Sequence, residues 1–118
     1  MKPDFKRLLL YVSKKTGEIK MLKCVVAVIG DAKTKESLIL AFMDEEAWLK
    51  TQETKIVHFQ STSRDELWRK GATSGNELEV VYQRLNCDRT AVLIGVKVRG
   101  DGVACHTGEK SCFHNEVS

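Results

Sequence analysis

The apolar residues of this chain fall into short clusters whose spacing changes along the sequence. Near the start, Phe5, Leu8, Leu9 and Val12 recur at helical spacing, which predicts a helix there with Asp4 as its cap. "LKCVVAVIG" (22–30) is a continuous apolar run rich in β-branched residues and reads as a buried strand. "SLILAFM" (37–43) reads as a second strand, with the turn-like "DAKTKE" between the two. "DEEAWLKTQET" (44–54) predicts a short helix, whose acidic start suits the positive end of the helix dipole. "KIVHFQ" (55–60) is a third strand. "STSRDELWRKGATSGNE" (61–77) is polar and rich in Gly and Ser, the composition of a long functional loop. "LEVVYQRL" and "TAVLIGVKV" are two further strands joined by "NCDR", and from Arg99 onward a glycine-containing tail follows. No repeat, low-complexity segment or linker divides the chain, so residues 1–118 read as one small α+β domain. Antiparallel sheet should dominate it, with short helices.

Composition and charge narrow the picture further. The net charge is +3, too weak to imply a nucleic-acid partner. No run approaches the roughly 20 apolar residues that span a bilayer. The apolar patch at the N-terminus is broken by Lys14 and Lys15 and has no small-residue cleavage site, so it does not read as a signal peptide. A cytoplasmic, reducing location is therefore the expectation. There, four cysteines point to metal or catalysis more than to disulfides. A chain of 118 residues also leaves much of its surface uncovered, which favours pairing with a second copy.

The cysteines do not share one setting. Cys24 lies in the apolar strand and reads as a small buried hydrophobe. Cys87 lies between two strands, and Cys105 and Cys112 lie in the tail, all in polar stretches. A disulfide, a packing pair and a metal site all remain open for them. No CxxC pair is present, which argues against a zinc finger or ribbon. Three thiolates without a fourth protein ligand would suit a catalytic zinc that keeps one position open.

Three motifs then occur in order: "TSRDELWRKGATSG", "NCD" and "ACHTGEKSCF". Together with "DFKRLL" and "LILAFMDEEAW", they make the chain resemble the phosphoribosyl-AMP cyclohydrolase family of histidine biosynthesis. The resemblance implies a zinc ion held by Cys87, Cys105 and Cys112. It also implies an intertwined homodimer in which the zinc is shared: one chain gives Cys87 and the other gives the tail pair. The substrate it implies is a small nucleotide, an adenine carrying phosphoribosyl groups on both N1 and N9. Alkylation at N1 makes C6 electrophilic, and zinc makes water nucleophilic near neutral pH. Attack at C6 then opens the N1–C6 bond, by logic parallel to the zinc nucleobase deaminases. His106, beside a ligand, is the candidate for proton transfer. Ser63, Arg64, Arg69, Lys70, Thr73, Ser74 and Gly75 are the candidates for binding the phosphates. Trp68 would either stack on a base or anchor the loop. His58 and His114 carry no assigned role.

The chain departs from the family pattern at two places. The family has Asp-Cys-Asp-x-Asp around the first zinc cysteine, and these acids hold magnesium. Here the stretch is "NCDRT", so only Asp88 is acidic, Asn86 and Thr90 replace the other two, and Arg89 adds a positive charge. Magnesium prefers carboxylates, so its site should be badly weakened. Ala72 and Asn76 stand where the family has Glu and His. The alternative reading is thus a divergent paralogue that keeps the zinc site but has another substrate, or a non-enzymatic zinc-binding role.

Overall fold

The computed structural model describes residues 1–118. Seven strands and one helix follow in the order β1 (Arg7–Val12), β2 (Ile19–Asp31), β3 (Ser37–Met43), α1 (Glu45–Thr54), β4 (His58–Ser61), β5 (Glu66–Arg69), β6 (Leu78–Leu85) and β7 (Ala91–Val98). β2 is the organising strand. Its first half pairs antiparallel with β1, from Val12↔Ile19 to Arg7↔Cys24. Its second half lies between β3, antiparallel, and β7, parallel. β6 closes the far edge against β7, and β4 and β5 form a separate two-stranded ribbon.

Period-two alternation on β2 decides what is buried. Val25, Ala27 and Ile29 face the core with Ile39 and Met43 of β3 and Val92, Ile94 and Val96 of β7. α1 covers this face with Ala47 and Trp48, and Val57 and Phe59 complete the layer. Each large side chain fully buried there contributes roughly 1.5–3 kcal/mol. The other face carries the cross-strand row Leu40–Val28–Leu93, in which Leu40 is 51% and Leu93 39% exposed.

α1 begins where the acidic stretch predicts. Asp44 caps it, its carboxylate accepting from the Ala47 N–H at 2.9 Å, and Glu45 and Glu46 fill the first turn. The helix ends at Lys55, which adopts a left-handed φ of 61°. The Thr51 hydroxyl donates to the Ala47 carbonyl and accepts from the His58 N–H, so it ties α1 to β4.

Two expectations need correction. The N-terminal apolar cluster is a strand, because both faces of "RLLLYV" are apolar and β2 offers a complete ladder to pair with. Asp4 caps nothing; its N–H donates to the Arg89 carbonyl. Only one helix therefore forms. Antiparallel pairing does dominate, as expected, and β2–β7 is the one parallel pair in a mixed sheet. Finally, the stretch 61–77 is not all loop, because "ELWR" folds back on β4 as β5.

Candidate functional site

Two adjoining cavities lie beside the β4–β5 ribbon. One, of about 550 Å³, has an apolar floor including Leu40, Phe42 and Phe59 and a polar rim of Ser61, Thr62, Ser63 and Arg64. The other, of about 510 Å³, is lined by Thr73, Ser74, Asn76, Cys105 and Gly108, among others. Arg64, Trp68, Lys70 and His106 belong to both and form the shared wall.

Local structure explains who reaches this wall. β5 alternates, so Trp68 turns inward opposite Phe59 while Arg69 turns out. Arg69 lines neither cavity and is ion-paired with Glu77 at 3.0 Å. The guanidinium of Arg64 sits over the Trp68 ring, 3.7 Å from its centroid. The Trp68 ring thus carries the Arg64 guanidinium in the cavity wall. Residues 71–75 form a tight turn, with the Gly75 N–H donating to the Gly71 carbonyl at 2.8 Å. Gly71 is required there: φ is 85°, and a Cβ would lie 2.4 Å from the Asn76 backbone. Gly75 shapes the turn and does not itself line a cavity. Ala72 is exposed, and the Asn76 amide oxygen accepts from the Asp101 N–H at 2.8 Å, joining this turn to the tail.

The tail folds back on itself. The N–H groups of Ala104 and Cys105 donate to the carbonyls of Lys110 and Glu109, and the Cys112 N–H donates to Leu38 of β3 at 2.8 Å. This brings the thiols of Cys105 and Cys112 together. Hydrogen bonding from Thr107, whose hydroxyl is 3.0 Å from Sγ, is the main cause that brings the Cys105 thiol down to about 7. Burial pushes Cys112 up. Thr107 also meets His114 Nε2 at 3.3 Å. His58 is buried, and its Nδ1 bonds the Ile56 carbonyl, a role in the fold. Cys24 is buried in β2, as its apolar setting suggests.

Cys87 stands apart. It is exposed on the turn before β7, whereas Cys105 and Cys112 follow that strand, beyond its other end. No three His, Cys, Asp or Glu side chains of one chain gather closely enough to share a metal. Two adjacent thiols, one of them easily ionised, suit part of a zinc site.

The stretch around Cys87 forms a turn, as its place between two strands suggests. Asn86 Oδ1 accepts from the N–H groups of Thr90 and Ala91, both at 2.9 Å. The Thr90 hydroxyl donates to Asp88 Oδ1 at 2.5 Å and is the leading cause that lowers the Asp88 carboxyl. Arg89 takes a left-handed φ of 62°. The three side chains converge, but on one another. With one carboxylate, already engaged, this set does not fit magnesium.

A family model described as phosphoribosyl-AMP cyclohydrolase matches residues 39–114. The chain belongs to the phosphoribosyl-AMP cyclohydrolase family. The phosphoribosyl-AMP cyclohydrolase of Brucella anthropi is 50% identical over 93 residues, which are 79% of this chain and 66% of that protein. That of Caulobacter vibrioides is 54% identical over 90 residues, 76% of this chain and 65% of the relative. The chain thus spans just under two thirds of the length of these two relatives. For the Brucella abortus cyclohydrolase the identity is 48%, and the match covers 79% of this chain and 78% of the relative. All the site candidates named from the sequence fall inside the segment that matches this family.

Sequence reasoning missed Lys14 and the apolar floor. Alternation within "LILAF" could have shown that Leu40 and Phe42 share a face; nothing in the sequence marks Lys14.

Proposed function

We propose that this chain hydrolyses the N1–C6 bond of phosphoribosyl-AMP in histidine biosynthesis, working as a homodimer with zinc shared between subunits. The observation that carries the reading is the shared wall: His106 lines both cavities, directly after Cys105, with Arg64, Trp68 and Lys70 around it. A substrate with two phosphoribosyl arms needs two adjoining spaces and a reacting centre between them.

Cys105 and Cys112 of one subunit and Cys87 of the other would hold the zinc. When bound, zinc makes water nucleophilic near neutral pH. The chain's own residues do the rest. Trp68 gives the cationic adenine a face to stack on. Lys70 and Arg64 balance phosphate charge, and the hydroxyls of Ser63, Thr73 and Ser74 donate to the phosphate oxygens. His106 takes the proton from water as oxygen bonds to C6 and returns a proton to N1 as the C–N bond breaks.

The outer sheet row Leu40–Val28–Leu93 supports a second copy as partner, as do the exposed hairpin pairs Leu10↔Met21 and Val12↔Ile19. An apolar face of this kind in so small a domain is stabilised by pairing. No helix is long and apolar enough to cross a membrane. A cytoplasmic location fits the free thiols.

The second reading, a paralogue with another substrate or a purely zinc-binding role, is favoured by the self-satisfied Asn86–Asp88–Thr90 turn. An ultraviolet assay of ring opening by the zinc-loaded protein, with and without added magnesium, separates the two. Turnover that is lost in Cys105→Ser supports the cyclohydrolase. Stoichiometric zinc without turnover supports the paralogue.

A further inference from the structure

The larger cavity is lined by three cations, Lys14, Arg64 and Lys70, and by no carboxylate. None of the three takes part in an ion pair, whereas neighbouring Arg69 does. Ser61 and Ser63 hydroxyls stand 3.2 Å apart at the rim, and Ser61 Oγ accepts from the Arg64 N–H. Cations without carboxylate partners beside rim hydroxyls make a surface for a dianionic oxyanion.

Lys14 lies outside the segment matched by the family model, and its place at the cavity has a specific cause. Asp65, in the turn between β4 and β5, adopts a left-handed φ of 57°, which favours glycine. Its side chain is only 6% exposed. Three donors meet it: the Tyr11 hydroxyl at 2.6 Å, the Ser13 hydroxyl, and Lys20 Nζ at 3.0 Å. Tyr11 and Lys20 come from β1 and β2, and Ser13 lies just after β1. Ser13 is itself buried and also accepts from the N–H groups of Lys15 and Thr16, so it shapes the turn that carries Lys14. One hydroxyl thus forms the β1–β2 turn and hooks it to the β4–β5 turn.

We propose that Lys14, Ser61, Thr62, Ser63 and Arg64 form a phosphomonoester subsite, and that Asp65 is the positioning residue that holds Lys14 at it. The subsite would take the phosphate of one ribosyl arm, and in naming that arm the inference rests on the proposed function.

The test measures binding of ribose 5-phosphate and of ribose to the zinc-loaded protein by calorimetry, with phosphoribosyl-AMP turnover recorded separately. Binding does not depend on turnover, so failure of the subsite and failure of the cyclohydrolase reading are told apart. The wild type should prefer ribose 5-phosphate. Lys14→Gln should weaken that sugar phosphate about three- to ten-fold and leave ribose unchanged. Lys15→Gln, exposed and outside the cavity, changes total charge equally and should have no effect. Asp65→Gly relieves the left-handed φ and removes the clamp, so it should weaken ribose 5-phosphate in the same direction. In that background Lys14→Gln should add nothing, because Lys14 is already released. Tyr11→Phe removes one donor alone and keeps the test open if Asp65→Gly lowers stability. If the protein turns over phosphoribosyl-AMP, these variants should raise KM and spare kcat. No preference for the phosphate, an unchanged Lys14→Gln, an equal loss in Lys15→Gln, or additive losses in the double variant would overturn the proposal.

Discussion

Arg64 sits over the ring of Trp68, 3.7 Å from its centroid, at the wall that both cavities share. A guanidinium so placed holds the indole orientation and keeps its own fork at the cavity mouth. Arg64→Ala should raise KM for phosphoribosyl-AMP about ten-fold, with a smaller effect on kcat. Trp68→Phe should be milder than Trp68→Ala, since it keeps an aromatic face. Steady-state kinetics decide this; equal effects of Phe and Ala would show that stacking at Trp68 is irrelevant.

The turn at Asn86 has its own test. Asn86→Ala leaves the N–H groups of Thr90 and Ala91 without their acceptor and should cost about 1–3 kcal/mol. Asn86→Asp keeps the acceptor and should be tolerated. Thr90 is 1% exposed, so Thr90→Asp buries a carboxylate and should lower Tm. In the Asn86→Asp, Thr90→Asp double variant, magnesium should restore Tm and raise turnover, and more so after Arg89→Gly removes the opposing charge. Wild-type activity that already depends on added magnesium would contradict the statement that this turn does not fit the ion.

Asp65 gives a pH dependence. Hydrogen bonds from Ser13, then Tyr11 and Lys20, hold its carboxyl at about 2, below the roughly 3.9 of an unfolded chain. A lowered folded value contributes stability above about pH 4, and that contribution is lost as pH falls through about 2. The stability difference between wild type and Asp65→Asn, from urea unfolding, should therefore shrink as pH is lowered from about 5 to about 2. A difference that stays constant over that range would show that the clamp is not ionic.

How much of this was legible in the sequence follows from how local each signal is. The helix 45–54 and the strand 37–43 could be read directly, because the Asp44 cap and the apolar run "LILAFM" act within a few residues. "RLLLYV" misleads because Phe5, Leu8, Leu9 and Val12 satisfy a helical period while the same run, apolar on both faces, suits a strand. Only the distant partner β2 decides between them. The parallel β2–β7 pairing likewise has no local mark. At the site, the cysteines and the Arg64–Trp68–Lys70 stretch stand out by motif, whereas the Asp65–Tyr11–Ser13 contact joins residues more than 50 positions apart. Arg69 looked like its neighbours in the sequence, yet strand alternation turns it toward Glu77.

Metal content separates the thiols. Cys24 is buried in β2 and Cys105 faces Cys112. Elemental analysis should find about one zinc per chain in wild type and in Cys24→Ser, and close to none in Cys105→Ser. Equal zinc in wild type and Cys105→Ser would remove the tail thiols from the site.

The separation of Cys87 from Cys105 and Cys112 within one chain sets up the most direct measurement. Cys87→Ser and Cys112→Ser chains, each inactive alone, are unfolded and refolded together in equal amounts. In a mixed dimer one interface site collects both lesions and the other collects none. Random pairing should therefore restore about a quarter of wild-type ring-opening activity and zinc. No activity and no zinc after mixing, or a monomer that carries full zinc, would contradict a site shared between two copies.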